Sequence, residues 1–141
     1  LDENIRTIFK HSQHQEIPMS AFLHDIPSNA AFAALVPAGN ITANGSGSAV
    51  GPLPGEGQEF AIVQIGTPSS GATVTVTIEQ SDDLSAWTAV GGASTGSRSA
   101  AAVVPLTYTR SQAYVRARYT VSGSSPSIPL AAAVGQQKKL W

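Results

Sequence analysis

Between Ala72 and Gln80 the side chains alternate: Val74, Val76 and Ile78 fall on one side, Thr73, Thr75, Thr77 and Glu79 on the other. A period of two, rich in β-branched residues, predicts a strand with one buried face. The pattern returns over residues 113–121, where Val115, Ala117, Tyr119 and Val121 oppose Tyr114, Arg116, Arg118 and Thr120. Phe60 to Gly66 is instead a nearly continuous apolar run closed by Thr67-Pro68-Ser69-Ser70-Gly71, as in a buried strand followed by a turn. Further strands are expected over 101–108 and 128–134, and one beginning at 86–90, where Trp87 is the expected core anchor. Residues 37–57 leave room for one or two short strands, because repeated Gly and Pro exclude a long helix and Asn44-Gly45 marks a turn. The stretch GGASTGSRS, residues 91–99, reads as a loop.

Upstream the period changes. Leu1, Ile5, Ile8 and Phe9 share a helical stripe, with Asp2 and Glu3 at its start and Lys10 at its end, which suits the helix dipole. Residues 30–36, between Pro27 and Pro37, read as one or two further helical turns. The expected organisation is an N-terminal arm containing a short helix, residues 1–36, and a sandwich domain, residues 37–141. Short strands bounded by Gly, Pro, Ser or Asp clusters place the chain in the all-β class, as an antiparallel β-sandwich or small jelly-roll. Val74, Val76, Ile78, Trp87, Val115, Tyr119 and Val121 are its expected core; Thr75, Arg116 and Arg118 are expected to face solvent or a partner.

Composition narrows the function. The chain has 141 residues, enough for one domain, of which 12% are charged, for a net charge of -1. Without clustered Lys and Arg there is no footprint for nucleic acid or an anionic membrane. No apolar run approaches the roughly 18 residues of a membrane-spanning helix. Asp2, Glu3, Arg6 and Lys10 interrupt the place where a secretory signal keeps an uncharged core, so export is not expected. The chain has no cysteine, which excludes disulfides, thiolate metal sites and a cysteine nucleophile.

Chemistry is sparse. His11, His14 and His24 all lie in the arm, away from a scaffold that holds catalytic geometry, and no carboxylate cluster completes a metal site around the first two. Asp82 and Asp83 follow a strand, and two carboxylates are too few for calcium; a turn held by side-chain to backbone bonds is the simpler reading. Glu56, Glu59 and Glu79 show no acid/base spacing, and neither GSGS at 45–48 nor GGASTG at 91–96 has the Lys of a phosphate loop. Enzyme activity, a cofactor and a metal are therefore not expected. Tyr108 and Tyr114 with Arg110, Arg116 and Arg118 combine residue types enriched at protein interfaces.

The ordered succession NITANGSGSAV, FAIVQIG, ATVTVTIEQSDDLSAWTAV and AYVRARYTVSGSSPSIPLAAAV, covering about residues 40–135, resembles the small β-sandwich proteins encoded beside major capsid genes in tailed bacteriophages. Some of these decorate or cement the head. The resemblance implies a non-enzymatic virion protein on the capsid surface, assembled in the host cytoplasm, with the major capsid protein as partner. Phe9, Phe22, Phe32 and Leu35 are then the arm's expected anchors, and Tyr114, Arg116 and Arg118 the expected contacts on the body. A homo-oligomer, dimer or trimer, is compatible with this reading. The SDD turn before Trp87 and the YVRARY strand also look like discoidin-type carbohydrate-binding sandwiches, so a sugar-binding or host-attachment module is the alternative.

Overall fold

The computed structural model describes residues 30–54 and 58–137. Among them all regular structure is β: β1 (Ala30–Ile41), β2 (Gly45–Ser46), β3 (Glu59–Ile65), β4 (Thr73–Ser81), β5 (Thr88–Ser94), β6 (Ala102–Tyr108), β7 (Tyr114–Ser122) and β8 (Ile128–Gln137). Two antiparallel sheets result, ordered β1-β8-β3-β6 and β2-β7-β4-β5. Pairs are nested: β1 lies beside β8, β2 beside β7, β3 beside β6 and β4 beside β5, as in one long hairpin folded over so that successive layers fall alternately in either sheet.

The alternation seen in the sequence builds the core. Val74, Val76 and Ile78 of β4 and Val115 and Ala117 of β7 are fully buried against Ala61 and Val63 of β3 and Val134 of β8. Expected core residues Tyr119 and Val121 are half-buried and pack against this cluster. The two sheets thus share one apolar centre, the arrangement of a sandwich.

Three expectations are corrected. Ala30–Val36 is not helical: it is the first half of β1, running in ladder with Gln137–Ala132 of β8. An apolar run of that length carries no period that separates helix from strand, so pairing with β8 decides. Leu35, expected as an arm anchor, is completely buried and Val36 nearly so, and residues 30–36 therefore belong to the sandwich. The helical stripe at 1–10, with Phe9 and Phe22, lies outside the described residues. Second, Gly91–Ser94 belongs to β5 rather than to a loop. Gly92 adopts a φ of 77°, which lets the strand bulge between Ala89 and Ser94 before Thr95 and Arg98 resume backbone bonds to Val76 and Val74. Third, Trp87 is half-buried and outside the core cluster, just ahead of β5.

The crossing between sheets is made at Gly47. Its N–H donates to the Ala117 carbonyl of β7, while the next residue, Ser48, donates to the Leu35 carbonyl of β1. A Cβ on Gly47 would fall 1.9 Å from the Leu35 carbonyl oxygen, so the two backbones meet closer than any side chain permits. The edges of the β1-β8-β3-β6 sheet are blunted: Pro105 sits in β6, and Pro37 lies within the second of two register shifts in β1. We predict that Gly47→Ala destabilises the fold by about 2 kcal/mol or more in denaturant titration. Gly39→Ala, at a position with open space around it, serves as the neutral comparison.

Candidate functional site

Four features of the described residues carry chemistry or contact, and they lie on different parts of the sandwich.

The first is a buried ion pair that sequence spacing did not reveal. Glu59 opens β3 and Tyr108 ends β6, and their register pairing brings them side by side. Glu59 Oε2 accepts hydrogen bonds from Tyr108 Oη at 2.9 Å and from Arg110 Nε and Nη2 at 3.1 and 3.0 Å. Arg110 Nη1 also donates to the carbonyls of Ala113 and Val50, at 2.7 and 3.4 Å, tying the residues after β2 to the start of β7. Burial first, then the bond to Glu59 and its charge, push the Tyr108 phenol well above its ordinary value of 10.0. The group lines an open cleft of about 650 Å³ with Pro52, Leu53, Gln58 and Gln136. A carboxylate oxygen already taking three donors is a poor general base, so the cluster acts as a clamp.

The second is the turn after β4. Asp83 Oδ1 accepts from Ser81 Oγ and from the N–H groups of Ser85 and Ala86, each at 2.9 Å. The backbone bonds from Ala86 and Ser85, then that from Ser81, hold its carboxyl below the usual carboxylate value. Asp82 Oδ1 accepts from the Ala113 N–H. Both carboxylates are occupied in shaping the chain, as the turn reading expected, and among the described residues no group of three metal-ligating side chains occurs.

The third is the outer face of the β2-β7-β4-β5 sheet, which carries the expected contacts Tyr114, Arg116 and Arg118 beside Thr73, Thr75 and Thr77. Arg116 Nε donates to Glu79 Oε1 at 3.0 Å, and its guanidinium lies 4.2 Å from the centre of the Trp87 ring. Val90 takes the inward place on β5, so Trp87, an odd number of residues before it, is left on the outer side, over Arg116. The cation occupies one face of the indole.

The fourth is the outer face of the β1-β8-β3-β6 sheet. Its cross-strand rows run Phe32, Gly135, Phe60 and Thr107; then Ala34, Ala133, Ile62 and Pro105; then Ala131, Gln64 and Val103. None of these side chains is charged. Phe32, Ile62 and Val103 are 52%, 40% and 65% exposed. Phe32 and Phe60 meet edge to face, with centroids 6.2 Å apart, across Gly135, where a Cβ would stand 2.6 Å from the Phe60 ring. Beside them the small side chains of Ala131 and Ala133 leave a groove of about 220 Å³ between Phe32 and Ile62.

The structure therefore separates the sequence-predicted contacts. Phe32 lies on one outer face, Tyr114, Arg116 and Arg118 on the opposite one, and Leu35 in the core between them. Ile62 and Val103 were missed, because apolar runs such as residues 60–65 read as strands covered on both sides. The described residues cover only one side.

No family model, curated protein or solved structure matches the chain.

We predict that Glu59→Gln costs about 3 kcal/mol in denaturant titration, because Arg110 is then left buried without its carboxylate. Tyr108 adds a pH signature. Its raised phenol contributes stability that is complete below about pH 10, the ordinary value, and is lost as the pH rises further, since the unfolded chain then releases a proton that the folded chain retains. Melting curves between pH 8 and 11 are expected to fall more steeply for the unsubstituted protein than for Tyr108→Phe.

Proposed function

We propose that the protein is a non-enzymatic structural component of a tailed-phage virion that docks on the outside of the capsid and decorates or stabilises it. The observation that carries this reading is the uncharged outer face of the β1-β8-β3-β6 sheet. Strands β3 and β8 have the near-continuous apolar composition of strands covered on both sides, yet the described residues supply a cover for one side only. Depletion of charge with exposed aromatic and aliphatic side chains is the composition of an interface centre.

The partner on this reading is the major capsid protein, with Phe32, Ile62 and Val103 as the contacts of the body. Residues 1–29, which include Phe9 and Phe22, precede β1 in the sequence and on this reading serve as the arm that reaches a neighbouring subunit. Stability gained on a folded partner compensates a domain with few ionic contacts of its own. We read the nested strand pairing as jelly-roll connectivity, a form found in capsid and lectin domains alike, so the fold supports the reading without selecting it. The alternative sugar-binding reading has less support, since Arg116 already covers one face of Trp87, the aromatic platform it would use.

Co-sedimentation with undecorated capsids of the encoding phage tests the proposal, with a glycan array run on the same preparation. Saturable binding without a sugar signal is expected. Val103→Asp and Ile62→Asp, both at exposed positions, are expected to reduce capsid occupancy at least about tenfold with little change in melting temperature, because a buried unpaired charge opposes docking. A chain starting at Ala30 is expected to fold and to bind more weakly; one starting at Val36 loses Leu35 from the core and is expected not to fold. Full occupancy by the Asp variants would remove this face from the interface, and sugar binding without capsid association would replace the proposal with the recognition reading.

A further inference from the structure

Among the described residues charge is scarce enough that each charged side chain can be examined in turn. Among the described residues Glu59 is paired with Arg110 and Glu79 with Arg116. Asp82 and Asp83 accept backbone N–H groups, and Arg98 Nε donates to the Thr95 carbonyl. Arg118 alone is exposed with a side chain that makes no hydrogen bond or ion pair to any described residue.

It does not stand on open surface. Its register partner on β2 is Ser46, and Asn44, Gly45 and Arg116 complete a polar recess of about 180 Å³ around it. Arg116 and Arg118 are two apart on one strand face, so their stems leave the sheet about 7 Å from each other. The first guanidinium is fixed before any ligand arrives: Glu79 holds Nε and Trp87 lies against the plane, while the terminal Nη groups make no hydrogen bond to described residues. A preoriented fork beside a free one is suited to grip an oxoanion.

We infer that this recess is a docking point for a single carboxylate, the Asp or Glu side chain of a protein partner, and that it lies on the face opposite the apolar one. The charge count selects the ligand. Glu79 neutralises Arg116, so the recess offers about one net positive charge, which matches a carboxylate and leaves a dianionic phosphate undercompensated. Arg116 covers one face of Trp87, and Trp87 does not line the recess, so the recess itself offers no aromatic platform for a sugar ring. The site does not rest on the capsid reading: a partner held here approaches from the other side of the sandwich.

The test uses the full-length isotope-labelled protein and follows the arginine Nε–H and the backbone amide signals by NMR. The probes are the side-chain carboxylate of N-acetyl-glutamate amide, its glutamine analogue, inorganic phosphate and glucuronate. The glutamate derivative is expected to shift Arg116, Arg118, Asn44 and Ser46 saturably while the glutamine analogue does not. Arg118→Gln is expected to weaken this at least about fivefold at an unchanged melting temperature, with Arg118→Lys intermediate. Equal shifts in Arg118→Gln, or shifts spread over Arg98 and Arg110 as well, would overturn the site. Tighter binding of phosphate would overturn the charge match, and tighter binding of glucuronate the assignment to a protein partner.

Discussion

The rest of the structure depends on where β8 inserts. It is the last of the described strands, yet it runs through the interior of its sheet, bonded to β1 on one side and β3 on the other. Its inward side chains, Ile128, Leu130, Ala132 and Val134, are all buried and meet the opposite sheet at the centre of the core. Before it arrives, the first strand and the third have no neighbour to share. Such a pairing joins residues about a hundred positions apart, and the loop-closure entropy is recovered only when the apolar surface of both sheets is buried together. The small residues of β8 follow from that position. Gly135 has rings crossing it, and a larger side chain there would displace both phenylalanines.

Much of this was legible in the sequence, for a reason visible in particular strands. β4 and β7 alternate because one side of each is buried and the other is wet, and alternation survives any register. β3, β6 and β8 were legible from apolar content and flanking turns. What was illegible depends on register. Ala30–Val36 has no period to distinguish helix from strand, the two glycines of β5 imitate a loop, and Trp87 reads as core until the parity of β5 is known. The Glu59–Tyr108–Arg110 clamp joins residues about fifty apart, and only the pairing of β3 with β6 brings them together. The apolar outer face was hidden in the same way: a run such as residues 60–65 states that both sides are hydrophobic, without stating that no described residue covers one of them.

The two outer faces divide the molecule's chemistry. One has hydroxyls, two arginines and an indole; the other has no charge at all. Since the buried carboxylates are spent on Arg110 and Arg116, the described residues keep little charge with which to attract or repel neighbours at a distance. Contact on the apolar side is then governed by shape and burial, which ionic strength does not screen, and contact on the other side by a short-range ionic grip that it does.

The blunted edges of the β1-β8-β3-β6 sheet complete this division. A free strand edge is a template on which another chain can continue the ladder, and copies held at high density meet such edges often. Pro105 removes a donor from one rim, and the irregular register around Pro37 breaks the other. Edge-to-edge pairing of this sheet with another chain is therefore disfavoured, which leaves the side chains on the flat of the sheet as its open surface.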